Sequence, residues 1–145
     1  MKTLFKAEHH STNIDMALLI LRVSMAILML VHGLPKMLML FSGEPVQFPA
    51  LVGSAELSLA LAVFAEVICS ILILLGFGTR LATVPLIITM LVAVLYVHGS
   101  DPFAKQEMGL HYLIGYLVLL ITGSGKFSLD QLITKIKPSL AYAAK

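Results

Sequence analysis

The sequence has no tryptophan, a single cysteine and few charges. Each shortage removes a class of protein. With Cys69 alone, the chain can close no disulfide within itself and can build no zinc site on several thiolates. A quinone-linked Cys-x-x-Cys redox centre is excluded for the same reason. Charged residues make up 12% of the chain, against about 25% in an ordinary soluble domain. The net charge of +2 comes from residues near the two ends, without a basic stripe interleaved with aromatics, so the footprint of a nucleic-acid binder is missing. Without tryptophan, any belt at a membrane interface falls to Phe and Tyr. Lys2 and Lys6 precede an apolar run, but the run is too long for a signal-peptide core and no small-x-small cleavage site follows it. It reads as a retained first membrane helix.

What is present is apolar. Hydrophobic residues make up 59% of the 145 residues, and the mean hydropathy is +0.96. A spanning helix needs about 20 mostly apolar residues. Four segments answer to that description: Asp15 to Met39, Ser54 to Leu75, Arg80 to Val97 and the shorter Met108 to Thr122. The loops between them carry the turn residues, with two Pro and two Gly in FSGEPVQFPALVG, Gly at both helix-stop positions of GFGT, and a polar GSDPFAKQE. Lys2, Lys6, Arg80, Lys126, Lys135, Lys137 and Lys145 fall on the tails and the second loop. The first and third loops hold Lys105 against Glu44, Asp101 and Glu107. By the positive-inside rule both termini are cytoplasmic. The expected fold is therefore all-α: an integral-membrane, four-helix, up-down bundle. It divides into an N-terminal tail (1–14), a transmembrane domain (15–123) and a cytoplasmic tail (124–145). In the tail, Ser128 and Gln131 have capping-box spacing. Leu129, Leu132, Ile133 and Ile136 share a face before Pro138, which predicts a short amphipathic helix on the membrane surface or packed on the bundle.

The polar residues inside the spans carry the functional question. At 100° per residue, Asp15, Arg22, Met25, Met29, His32 and Lys36 lie on one stripe of the first helix. Charge in hydrocarbon costs roughly 2.5–3.5 kcal/mol on insertion scales, so the stripe should face the interior. Counted at about 1.5 Å per residue from the inner ends, Arg22 and Glu66 come level, with Thr89 at a similar height, so the two charges are the expected partners of one another. A second group gathers at the outer end: His32, Lys36, Glu56, His98, Glu107, His111 and Tyr112. These are expected to line a polar chamber opening outward. The other readings are a structural ion pair for Arg22 and Glu66, interfacial histidines for His32, His98 and His111, and a snorkelling Lys36. Three outer histidines are a weak signal for a haem. Glu107 and His111 have no matching pair for a di-iron bundle. GSGK lacks the first Gly and the final Ser/Thr of a phosphate loop. No metal site is expected.

LRVSMAILMLVHGLPKM, AEVICSILILLGFGTRLA and GSGKFSLDQL, in that order, resemble the DoxX family of small integral membrane proteins. The family's signature positions would be Arg22, His32, Gly33, Lys36, Glu66, Gly76, Arg80, Gly123, Gly125, Ser128 and Asp130. Ser24/Met25 and Cys69/Ser70 stand where glycines are common. The resemblance implies a four-helix protein of the bacterial inner membrane. Some members are similar to subunits of thiosulfate:quinone oxidoreductase, or are linked to terminal quinol oxidases and thiol-stress complexes. Three functions follow as expectations. The first is a quinone-linked redox subunit. Glu66, Arg22 and His32 would do its proton chemistry, and His32, Lys36, His98, His111 and Tyr112 would hold the quinone. A partner subunit or a second copy of the chain would complete the complex. The second is a scaffold that recruits redox or stress proteins through the basic tail. The third is a small proton-coupled transporter.

Overall fold

In a computed structural model the described residues are 11–135, and all their regular structure is helical. Lys2, Lys6, Ile136, Lys137, Pro138 and Lys145, with most of the N-terminal tail and the end of the C-terminal tail, lie outside them. Residues 11–122 form four rods. The first is α1 (Ser11–Phe41). The second is α2 (Ala55–Val63), a π-helical turn (Phe64–Cys69, π1) and α3 (Ser70–Leu75). The third is α4 (Thr79–Val92) followed by a second π-helical turn (Ala93–Val97, π2), and the fourth is α5 (Phe103–Thr122). The first rod packs on the second, the second on the third, the third on the fourth, and the fourth returns to the first.

Three rods are long and apolar enough to cross a membrane: Thr12–Phe41, Ala55–Leu75 and Thr79–Val97. The helix α1 starts earlier than the hydropathy suggests. Its 31 residues span about 46 Å at 1.5 Å per residue, more than the roughly 30 Å of a bilayer core. Pro35 sits inside it, where a missing N–H and a ring clash bend a helix. Between rods two and three, Gly76 ends α3 in the left-handed region at φ 69° and Gly78 starts α4 at φ 57°. The expected tight turn is therefore made by the two glycines that can take those angles.

The core is filled by Met25, Met29, Cys69, Ile73, Leu86, Tyr116 and Leu119. Outward-facing Ile20, Leu38, Leu81, Leu95 and Ile121 are exposed, as befits helices whose outer surface meets lipid. Of the stripe expected on α1, Arg22, Met25 and Met29 are buried and Asp15 and Lys36 are half-buried. His32 departs from it and is exposed. After α5, Ser128 Oγ accepts from the Gln131 N–H at 3.3 Å, and a helix begins that reaches the last described residue, spanning 129–135. The capping part of the tail reading is thus present.

Candidate functional site

The interior charges sort into two places. In the first, Lys36 of α1 reaches Glu66 of π1, with Nζ 2.5 Å from Oε1. Glu66 is 2% exposed and Lys36 31%. The expected Arg22–Glu66 pair does not form. The reason is the direction of side chains on antiparallel helices. Each Cα–Cβ bond tilts toward its own helix N-terminus. Lys36 therefore dips toward Ser11, while Glu66 rises toward Ala55, and the two converge. Arg22 dips away from Glu66. Counting residues from helix ends compares Cα heights and misses this.

Two local features hold the pair together. Gly33 lies one turn before Lys36. A Cβ there would stand 2.8 Å from Val67 Cγ2 and 3.0 Å from the Glu66 carbonyl carbon, so α1 and π1 touch backbone to backbone at this level. Glu66 also sits within the π-helical turn, an irregularity frequent at functional sites. The second π-helical turn faces it across a cavity.

That cavity, of about 570 Å³, lies between the second and third rods. It is lined by Lys36, Glu66, Leu61, Thr89, Tyr96 and His98, among others. Phe48, Pro49, Leu51 and Val52 of the first loop cover it. The loop is held there by buried Ser58, whose Oγ accepts from the Leu51 and Val52 N–H groups at 3.0 and 2.9 Å. Lys36 Nζ lies 5.9 Å from the Phe48 ring centroid, within cation–π reach. The cavity rim is apolar and exposed, with Leu61 at 48%, Ile88 at 57% and Tyr96 at 75%. His98 Nδ1 is 2.8 Å from Asp101 Oδ2, which fixes the ring and leaves Nε2 free of that bond. The hydrogen bond from His98 holds the Asp101 carboxyl below its usual range.

In the second place, Arg22 is buried beside the turn between rods two and three. Its Nη1 and Nη2 donate to the carbonyls of Ser124 and Phe127 at 2.9 and 2.6 Å. Asp130 Oδ1 accepts from the Gly78 N–H at 2.9 Å, and Arg80 Nη2 donates to the Ile121 carbonyl at 3.0 Å. Asp15 Oδ2 is 3.1 Å from Lys126 Nζ. The Asp130 N–H also donates to the Gly76 carbonyl at 3.1 Å, so the chain after α5 is tied to α1, to the end of rod two and to the start of rod three.

The other expected site residues separate. The outer polar residues do not gather in one chamber. His32 meets Tyr112 edge-on at 5.8 Å, across the contact of α1 with α5, whereas His98 belongs to the cavity between rods two and three. His111, Glu56 and Glu107 are exposed, so the chamber expected from all four helices is replaced by a cavity fed by two of them, Lys36 and the first loop. Sequence reading missed Ser58 and Phe48. A serine four residues after the N-cap Ser54, beside a Pro-rich loop, was the available signal. Among the described residues no three His, Cys, Asp or Glu side chains converge as a metal site.

The fold and site define a multi-pass helical membrane protein in which a buried carboxylate, paired with a half-buried ammonium, lines a largely apolar cavity. Its family follows from comparison. The DoxX family model matches residues 17–99, more than half of the chain, and the protein belongs to the DoxX family, as a multi-pass protein of the bacterial inner membrane. It is 36% identical to the inner membrane protein YphA of Escherichia coli over 126 residues, covering 79% of this chain and 88% of that one. It is 30% identical to an uncharacterized protein of Haemophilus influenzae over 99 residues, 66% of each chain. It is also 33% identical to the uncharacterized membrane protein Rv3486 of Mycobacterium tuberculosis over 86 residues, 48% of this chain and 52% of that one. No solved structure matches the chain.

Proposed function

We propose that the protein is a quinone-linked redox subunit that binds the quinone head in the cavity between rods two and three. In this reading α5 is a fourth span, the bundle runs up and down with both termini in the cytoplasm, and the 124–145 segment lies on the cytoplasmic side. The basic residues of the tails and second loop support that orientation. One observation carries the reading: the Lys36–Glu66 pair lines a cavity whose other walls are largely apolar and include exposed Leu61 and Ile88, and Glu66 Oε2 has no hydrogen-bond partner among the described residues. Small-molecule sites are mostly apolar with a few convergent polar groups, and an intramembrane ionisable pair is a functional hypothesis by default.

The donor set fits a quinone head. A quinone presents two carbonyl oxygens and, when bound, supplies two-electron, two-proton chemistry. Lys36 would donate a hydrogen bond to one oxygen. Glu66 would pass or receive the proton there. His98, oriented by Asp101, would serve the other oxygen. Phe48 and the first loop would keep water away from the ring. Arg22 plays no part in this scheme, and neither do His32, His111 and Tyr112. Electrons would come from a partner protein subunit.

The test is extraction of bound lipids from protein purified in mild detergent. Wild type should carry quinone near one equivalent, and Glu66→Gln and a cavity-filling Leu61→Trp should lose it. A folded wild type without quinone, even after incubation with it, would overturn the reading and favour a non-catalytic scaffold.

A further inference from the structure

The connection between α1 and α2 is weakly tied to the helices it joins. From Gly43 to Gly53 only Val46 and Phe48 are half-buried, and every other residue is exposed. Those two side chains pack against Leu59, Val63 and Val67. Among the described residues, Ser58 is the one helix residue that hydrogen-bonds to this segment. Its Oγ accepts from the Leu51 and Val52 N–H groups at 3.0 and 2.9 Å, and its hydroxyl donates to the Ser54 carbonyl at 2.8 Å. The Glu44 N–H turns back on Ser42 Oγ, and the Leu51 N–H also reaches the Pro49 carbonyl. A segment with so few buried contacts and so few main-chain bonds to the body opens locally at low free energy.

Both ends of the segment are glycines in the left-handed region, Gly43 at φ 76° and Gly53 at φ 67°. A Cβ on Gly43 would meet nothing within 4 Å. Packing therefore does not demand glycine there, and the backbone angle alone does. Pro45 and Pro49 lie between the two. Each fixes its own φ and restricts the residue before it. The segment is thus a stiffened strap between two permissive joints. Four of its residues, Phe48, Pro49, Leu51 and Val52, line the cavity that holds Lys36 and Glu66. The Phe48 ring centroid lies 5.9 Å from Lys36 Nζ. Moving the strap removes one wall of the cavity and takes the ring from the ammonium.

We propose that residues 44–52 are a lid on the ligand cavity. They swing as a unit about Gly43 and Gly53, and the Ser58 hydroxyl is the latch that holds them shut. On opening, the Leu51 and Val52 N–H groups exchange Ser58 for water, and Val46 and Phe48 leave the Leu59, Val63 and Val67 cluster. The cost is two hydrogen bonds exchanged for hydration and two half-buried side chains exposed. Water and ligand reach the Lys36–Glu66 pair through the open state, so the latch sets the rate of exchange at the site. The lid rests on the reading of the cavity as a ligand site but not on the identity of the ligand.

The experiment uses the full chain in lipid nanodiscs without quinone. Thr89→Cys places a thiol on the cavity wall. Gln47→Cys places one at an exposed position of the strap. Native Cys69, buried in the core, is the internal control. Labelling by the water-soluble, anionic reagent sulfonatoethyl methanethiosulfonate is followed by mass spectrometry of each cysteine peptide. The Thr89→Cys thiol should react about tenfold or more slower than the Gln47→Cys thiol, because it waits for the strap to open. Adding Ser58→Ala or Gly43→Ala should raise the Thr89→Cys rate about tenfold, equivalent to about 1.4 kcal/mol toward the open state. The Gln47→Cys and Cys69 rates should not change. An alanine side chain at Gly43 meets nothing in the closed state, so it can act on the cavity only through the backbone of the strap. Equal Thr89→Cys rates with and without both changes would overturn the lid. A Thr89→Cys thiol as reactive as the Gln47→Cys thiol at the outset would overturn it too, since the cavity would already be open. So would a rise shared by Cys69, which would mean loosening of the whole bundle, or a rise with Ser58→Ala alone, which would confine the effect to α2. Wild type that carries no quinone while these rates respond as expected would refute the ligand assignment and leave the lid standing.

Discussion

Removing Lys36 should destabilise the protein more than removing the charge it serves. Glu66 is 2% exposed and its partner ammonium 31%. Lys36→Met leaves a buried carboxylate with no counter-charge. Breaking a buried pair from one side costs about 3–5 kcal/mol, and partial exposure of Lys36 places the expected loss near the lower end, about 3 kcal/mol. Glu66→Gln is different. It leaves an ammonium within two turns of the end of α1, on a flexible stem that can bend toward the surface, so the loss should be about 1 kcal/mol. The double variant should cost about 2 kcal/mol, giving a coupling of about 2 kcal/mol between the sites. Arg22→Met gives the contrast. It removes two charge-assisted bonds to the Ser124 and Phe127 carbonyls, each worth about 1.5–3 kcal/mol. Its effect should add to that of Glu66→Gln within about 0.5 kcal/mol. The assay is reversible unfolding in mixed micelles with increasing sodium dodecyl sulfate, followed by circular dichroism. Additivity of Lys36→Met with Glu66→Gln, or strong coupling of Arg22→Met with Glu66→Gln, would refute the assignment of partners.

Two further changes test the scaffold and the His98 contact. Gly76→Ala should destabilise by about 3 kcal/mol in the same unfolding assay, combining a φ of 69° with a Cβ 2.0 Å from Arg22 Nη1. A loss under about 1 kcal/mol would show that the Arg22 knot is loose. Asp101→Asn tests the His98 contact through pH. The Asp101 carboxyl is depressed below its usual range, first by the His98 hydrogen bond. Its stabilising contribution is therefore full above the unfolded value of about 3.9 and is lost as pH falls through the lower folded value. The difference in melting temperature between wild type and variant should stay constant from neutral pH to about 5 and shrink below about 4. A difference that shrinks instead between neutral pH and about 5 would assign the effect to another group.

The rods were legible because length, apolarity and turn glycines are local signals. Asp15 to Met39 anticipates α1 within a few residues at either end, and GFGT marks Gly76 and Gly78 as the turn that they make. Burial of Glu66 was legible too, because a carboxylate in an apolar run has only the interior to face. Partnership was not. Arg22 bonds to backbone carbonyls, and a carbonyl leaves no trace in a residue pattern. Ser124 and Phe127 could have been any residues that permit the loop. His32 shows a second limit. Its angle on the helical wheel differs little from that of its buried neighbours, and only the position of α5, with Tyr112 beside it, decides its environment.

The residues that carried the resemblance, His32 apart, divide along the same line. Arg22, Gly76, Arg80, Gly123, Gly125, Ser128 and Asp130 meet at the Gly76 end, where their bonds are to backbone and the one close-packed glycine is filled by a guanidinium. Gly33, Lys36 and Glu66 meet at the cavity, where α1 touches π1 and a carboxylate oxygen is left without a protein partner. The knot is made of side chains bonded to the backbone of other segments: Arg22 and Arg80 on carbonyls, and Asp130 on the Gly78 N–H. It can set the heights of the rods. The height of rod two against α1 then decides whether the tilted side chains of Lys36 and Glu66 meet. On this argument the two groups of residues serve one end. The knot holds the register, and the register brings the ammonium to the carboxylate at the wall of the cavity.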